Sequence, residues 1–384
     1  MLVIVNRIKS YSFLPAMLLL LINTCLHAAP VPEPPLVVAS GHLLIDFDSN
    51  RVLSEENADK RLEPASLTKI MTTYTVFREL RAGNISRNDM VLVSERAWKT
   101  GGSRMFIEVG KQVSVDDLIH GMIIQSGNDA CVALAEHIAG SEEAFAGLMN
   151  EQAARLGMHD THFTNATGLP HKDHYTTPSD ILKVTRATIE EFPELYALYA
   201  KKEFTFNDIR QYNRNRLLWR DESVDGVKTG HTEAAGYCLV SSAKRGDMRL
   251  LVVVMGTDSE EARAKESLSL FNYGFRFYET HKLYGAGDSI RTARVWKGES
   301  ESIELGLEGD LAITVPRGRY DELEASTKIN QLIEAPVSLG QALGRIIITL
   351  DGEEQVSATL VALQDIKEAG FIGSAVDSVL MLFE

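Results

Sequence analysis

The chain is 384 residues long, enough for about two domains at roughly 150 residues each, which excludes a peptide, a single small module and a fibrous protein. Hydrophobic residues make up 45% and charged residues 24%, with no low-complexity run, so wholesale disorder and collagen-like structure are excluded as well. With 53 acidic against 39 basic side chains the formal charge is −14, the wrong sign for neutralising phosphates, and nucleic acid is not an expected partner.

Arg7 and Lys9 are the only Lys, Arg, Asp or Glu residues before Glu33. They precede an apolar run at 13–22 that ends near Ala28-Ala29, the pattern of a secretory signal peptide over 1–29. That run is about half of the roughly 20 residues a membrane span needs. Cys25 follows Ile22-Asn23-Thr24, which lacks the small residues of a lipoprotein site. Cys131 and Cys238 then remain, each among apolar residues; they read as buried free thiols and not as a disulfide scaffold. The proline-rich leader at 30–35 suits neither a helix interior nor a sheet ladder.

The folded part begins near Leu36. Residues 36–47 and 51–53 read as a β-hairpin turned at Asp48-Ser49-Asn50. A helix is predicted over 66–80, opening after Pro64, with Ile70, Tyr74 and Phe77 on one face and a stop at Gly83-Asn84. Helices follow at 115–125 and 130–138, with a short break between them. Thr177-Pro178-Ser179-Asp180 starts another helix, predicted to run to about Ala200. Strands are predicted at 237–243 and 250–255, joined by the turn Lys244-Arg245-Gly246-Asp247, and a helical pattern returns at 258–280. From Lys282 to about Ala362 short alternating strands predict a second, all-β domain. Residues 366–384 form a third unit in which Phe371, Ile372, Val376, Val379, Leu380 and Phe383 line one side of a short terminal helix.

Three motifs carry chemistry, and each has a decoy. Ser66-Leu67-Thr68-Lys69 puts a hydroxyl and an amine on one helical face; a lysine there takes the serine proton if burial or a neighbouring cation keeps its pKa low. Ser241-Ser242-Ala243-Lys244 has the same spacing at the end of a strand, where residues three apart point to opposite faces. Ser126-Gly127-Asn128 falls in the inter-helix break, whereas Ser86-Arg87-Asn88 sits in a polar turn. Lys228-Thr229-Gly230 precedes the β-rich run; Lys99-Thr100-Gly101 lies in a glycine-rich loop with no strand signal. His162, His171, His174, Asp160 and Asp173 match no metal-binding spacing, and neither metal nor cofactor is expected.

The order S-x-x-K, S-x-N, K-T-G resembles the penicillin-binding proteins and serine β-lactamases. The runs IQSGNDAC at 124–131, NRNRLLW at 213–219, VDGVKTGHT at 224–232 and GFRFYET at 274–280 resemble the low-molecular-mass D-alanyl-D-alanine carboxypeptidases, the penicillin-binding protein 5 and 6 type. The resemblance implies an α/β (α+β) transpeptidase-like domain, an antiparallel sheet flanked by helices, over 36–280. A small all-β domain at 281–365 and a membrane-surface helix at 366–384 follow. It implies attack of Ser66 on the bond between the terminal D-alanines of a peptidoglycan stem peptide, and acylation of the same serine by β-lactam antibiotics. Lys69 would be the base, Ser126 would pass a proton to the leaving amine, and Lys228 would supply charge that keeps Lys69 deprotonated. Asn128 would hydrogen-bond the substrate. The backbone N–H groups of Ser66 and His231 would form the oxyanion hole, Thr229 and Gly230 would shape the substrate-side strand, and Arg263 would bind the terminal carboxylate with help from Thr229. Thr167 stands where some close relatives carry a histidine before Gly-Leu, so no role of such a histidine carries over.

A β-lactamase of class A would need a deacylating glutamate between the second and third motifs, and Glu194 lies too near the third to serve. A D,D-endopeptidase shares every motif, while a non-catalytic wall binder has no need of both lysines. The expected location is the periplasmic face of the inner membrane. The terminal helix, about 13 residues or roughly 20 Å long, is too short to cross about 30 Å of hydrocarbon. With Asp377 and Glu384 on it, apolar burial and not charge would hold it to the surface.

Overall fold

A computed structural model describes residues 31–330, 332–370 and 377; the predicted signal peptide and the predicted terminal unit from 371 on, apart from Asp377, lie outside them. Residues 366–370 do not open a helix as expected, because Ile366 bridges Val337 and packs in the C-terminal core and Glu368 bridges Gly298. Among the described residues, strands β1 (Gly41–Asp46), β2 (Val52–Glu56), β3 (Val224–Thr232), β4 (Gly236–Arg245) and β5 (Met248–Thr257) form an antiparallel sheet in the order β2-β1-β5-β4-β3. Side chains alternate between its faces. Leu251, Val253 and Met255 of β5 join one hydrophobic core, and Leu250, Val252 and Val254 join another. Leu43 and Ile45 against Leu44, and Cys238 and Val240 against Leu239, divide in the same way. Burial on both faces is why β5 reads as an uninterrupted apolar run.

The first face is covered by α1 (Thr68–Ala82), α2 (Asn128–Ala139) and α3 (Pro178–Glu191), and the second by α4 (Glu260–Phe277) through Leu270, Phe271 and Phe275. α1 is buried all round from Thr68 to Phe77, so its threonines need internal partners. Thr73 Oγ1 donates to the Lys69 carbonyl at 2.7 Å and Thr75 Oγ1 to the Met71 carbonyl at 2.9 Å. α3 starts as its sequence predicts, with Pro178 in the first turn and Thr177 Oγ1 accepting from Asp180 N at 3.0 Å.

Four boundaries differ from expectation. The helix predicted over 115–125 is α-helical only at Val115–His120 and widens into a π-turn at Gly121–Gln125, closed by Ser126 at φ 64°. α2 begins at Asn128, not after it, because the Ser103 carbonyl accepts from Asn128 N at 2.7 Å. The helix predicted to reach Ala200 is broken at Phe192 (φ −133°, ψ 50°), ahead of Pro193, which lacks the N–H to continue it; the chain resumes as a short helix at Pro193–Tyr196 and a 3-10 turn at Ala197–Ala200. The helical pattern over 258–280 ends at Phe277, and Tyr278–Tyr284 is a strand paired with Leu311–Pro316, crossing the expected junction at 280/281.

The C-terminal unit adds a second antiparallel sheet, Arg291–Arg294, Ser302–Gly306, Glu353–Ala362, Ala342–Leu350 and Glu324–Ile329 in spatial order. Its core, including Ile303, Leu305, Val315, Ile346 and Leu360, shares no buried residue with the two cores around the main sheet. The seam between the units is polar. Asp46, fully buried at the end of β1, accepts from Ser49 Oγ at 2.8 Å and from Thr280 Oγ1 at 2.7 Å, and Thr314 Oγ1 meets both hydroxyls.

Candidate active site

The three motifs converge on one cleft of about 380 Å³. Ser66 sits in a single 3-10 turn, Ala65–Leu67, at the entrance of α1, and the preceding Ala65 holds φ 46°. Two glycines let neighbouring segments close on that turn. A Cβ on Gly230 would lie 3.0 Å from the Pro64 carbonyl oxygen, and one on Gly168, at φ 83°, would lie 1.8 Å from that of Ala65. The K-T-G strand and the loop carrying Gly168 therefore form the two walls beside the serine.

Lys69, one helical turn on and fully buried, lies 2.9 Å from Ser66 Oγ and donates to Asn128 Oδ1 at 2.7 Å and to the Thr167 carbonyl at 2.7 Å. The last two oxygens can only accept. A neutral amine has two N–H bonds and one lone pair, so satisfying both acceptors leaves the lone pair for the Ser66 hydroxyl. Burial, with the positive charge of Arg214 acting the same way, brings the Lys69 amine down to about 8, against the opposing pull of Asp129 and Glu142. The Lys228 amine is also buried. Burial, then the charge of Lys69, pushes it well below its ordinary value, and it donates to Ser126 Oγ at 2.9 Å. The sequence allows burial or a neighbouring cation as the cause and points to Lys228 as that cation; burial is the main cause, and the cation that adds to it is Arg214.

Asn128, expected to meet substrate, is engaged at both ends: its Nδ2 donates to the Gly101 carbonyl at 2.7 Å while Oδ1 holds Lys69. Asp129, buried beneath, fixes the opposite rim by accepting from Met105 N and Phe106 N, each at 3.0 Å. Arg263, on an acidic helix, is nevertheless buried, and its guanidinium donates to the Gly230 carbonyl at 3.1 Å at the end of the cleft. His231 is an exposed wall residue stacked on Tyr237, with ring centroids 3.9 Å apart, and Thr229 also lines the cleft. Cys131 is buried and neutral, its thiol pushed up to about 12 by burial.

The decoys lie elsewhere. Ser241 Oγ is buried against the Gly226 carbonyl at 2.8 Å while Lys244 is exposed. Lys99 ends a short helix, Glu95–Lys99, where a loop was expected, and pairs with Glu95 at 2.5 Å. Glu194 borders a different cavity, with Phe77 and Phe192. Among the contributors to the cleft that the three motifs do not mark are Arg214, an exposed side chain between the buried Asn213 and Asn215, and the Thr167 carbonyl. The first was signalled by its place in NRNRLLW; a backbone carbonyl gives no side-chain signal.

Residues 28–259 match the peptidase S11 family, D-alanyl-D-alanine carboxypeptidase, and residues 278–368 match the penicillin-binding protein 5 C-terminal domain family. The chain is 44% identical over 376 residues to D-alanyl-D-alanine carboxypeptidase DacC of Escherichia coli (strain K12), covering 96% of this chain and 94% of the relative. It is 43% identical over 361 residues to DacA of the same strain, covering 92% and 90%. Penicillin-binding protein 5 from Haemophilus influenzae superposes with a TM-score of 0.86 at 41% identity, over 88% of this chain and 100% of that one.

Proposed function

Because the chain belongs to the D-alanyl-D-alanine carboxypeptidase family, we propose that it removes the terminal D-alanine from peptidoglycan stem pentapeptides through an acyl-enzyme on Ser66. The observation that carries this reading is the triple contact of Lys69, which leaves its lone pair for the Ser66 hydroxyl. Ser66 Oγ attacks the carbonyl of the penultimate D-alanine as Lys69 takes its proton, and the negative oxygen settles on the backbone N–H groups of Ser66 and His231. Ser126, held by Lys228, delivers a proton to the nitrogen of the departing D-alanine. Arg263, with Thr229, receives the terminal carboxylate, and the charge of Arg214 at the cleft supports an anionic end. Water then hydrolyses the ester. A β-lactam acylates the same hydroxyl.

Incubating the pure protein with a pentapeptide and measuring free D-alanine tests the reading: release is expected from the wild type and not from Ser66→Ala, and no release from the wild type overturns it.

The biological setting proposed is peptidoglycan maturation and maintenance of cell shape on the periplasmic face of the inner membrane. The assigned units are a signal peptide over 1–29, a leader at 30–35, a catalytic domain at 36–277, a β domain at 278–370 and a surface-binding helix within the remaining residues to 384. No helix among the described residues is long and apolar enough to cross a membrane. Deleting 367–384 should release the protein from sedimenting membranes, whereas high salt should not.

A further inference from the structure

A buried histidine beneath the site has no part in the mechanism above. His174 lies on the segment that follows the Gly168 loop, 3% exposed, with its ring edge-on to Phe163 at 5.7 Å. Its Nδ1 accepts from Thr164 N at 3.1 Å, so that nitrogen carries no proton. The proton is then on Nε2, which donates at 2.8 Å to Oγ1 of Thr68, the residue beside Lys69 in the S-x-x-K motif. Burial, and then the charges of His162 and His171, bring the imidazole down to about 4. It is therefore neutral at every pH at which the lysine acts.

The loop that His174 holds is wound on Asn165, whose Oδ1 accepts from Thr167 N at 3.1 Å and from Gly168 N at 2.7 Å. Glu142 accepts from Ala166 N at 3.1 Å, and Thr72 Oγ1 donates to the Ala166 carbonyl at 2.7 Å. What this loop presents to the cleft is the Thr167 carbonyl, one of the two acceptors that orient the Lys69 amine. We propose that His174 is a positioning residue: by bridging Thr164 to Thr68 it locks the 164–169 loop onto the nucleophile helix and so keeps the Thr167 carbonyl on Lys69 and water away from it. The inference rests on the reading of Lys69 as base.

The test measures acylation of Ser66 by labelled penicillin between pH 5.5 and 10 in the full-chain protein, with rates referred to titrated active sites. In His174→Phe, which keeps an aromatic ring without the two polar contacts, the rate should fall about tenfold or more, as displaced positioning groups do. The acid limb should also move above about 8, because a loosened loop hydrates an amine whose depression comes mainly from burial. His174→Gln, which keeps an N–H for Thr68, should stay near wild type. Adding Thr68→Val to His174→Phe should cost little more than His174→Phe alone. An unmoved limb in His174→Phe, or Gln as impaired as Phe, overturns the proposal. A wild-type profile with no limb near 8 overturns the Lys69 reading itself, which is a separate result.

Discussion

Ser66-Leu67-Thr68-Lys69 and Ser241-Ser242-Ala243-Lys244 have the same spacing and opposite fates. At the entrance of α1 the backbone advances by nearly one turn between the two residues, and Lys69 Nζ lies 2.9 Å from Ser66 Oγ. In β4 the same three steps reverse the face: Ser241 is sealed on the Gly226 carbonyl and Lys244 points to solvent. The difference teaches that an S-x-x-K motif acquires reactivity from the period of its backbone, and that burial of the amine adds the rest.

The strongest test of the contrast is labelling by penicillin, which Ser66→Ala should abolish and Ser241→Ala should leave intact; peptide mapping that found the label on Ser241 would reverse the assignment. Next in size, Lys69→Ala or Lys228→Ala should slow acylation by about 10²- to 10⁴-fold, against less than about twofold for Lys244→Ala or Lys99→Ala at exposed sites, as stopped-flow acylation would read. Arg263→Ala should depress pentapeptide hydrolysis by roughly ten- to hundredfold, the worth of a charge-assisted contact, with a smaller loss in acylation by a generic β-lactam; equal losses would indicate damage to the Gly230 strand it supports. The mildest is pH. A base must be neutral, and with the Lys69 amine brought down to about 8, acylation should rise about tenfold per pH unit below that value and level off above it. A limb near 10 would mean the amine behaves as a solvated lysine does.

What could be read in advance depended on which physical signal each element leaves in the sequence. β4 and β5 announced themselves because burial on both faces demands an apolar run, and α3 because its first turn carries a cap and a proline. The helix Glu142–Arg155 leaves little signal: its buried apolar face is Phe145, Ala146, Met149 and Ala153, too sparse to stand out from a polar background. The π-turn at Gly121–Gln125 left no distinct periodicity. In the site, side chains in motifs were legible and backbone groups were not, so Ser66, Lys69, Ser126 and Lys228 were named while the Thr167 carbonyl was not. His174 belongs to no motif, and its partner Thr68 lies 106 positions away, so only the fold brings them together.

The Asp46 seam bears on how the molecule comes apart. The main sheet and the C-terminal sheet share no buried apolar residue, and the contacts of Asp46, Ser49, Thr280 and Thr314 are hydrogen bonds that water can replace once the seam opens. Such a joint transmits little cooperativity. Scanning calorimetry should therefore record two heat-absorption peaks instead of one, and acylation by a β-lactam should raise the melting temperature of the main-sheet peak alone. A single peak would show that the seam, with the hydrogen bonds of Arg51 to the Thr314 carbonyl and of Arg317 to the Phe275 carbonyl added to these hydroxyls, binds the two halves into one melting unit.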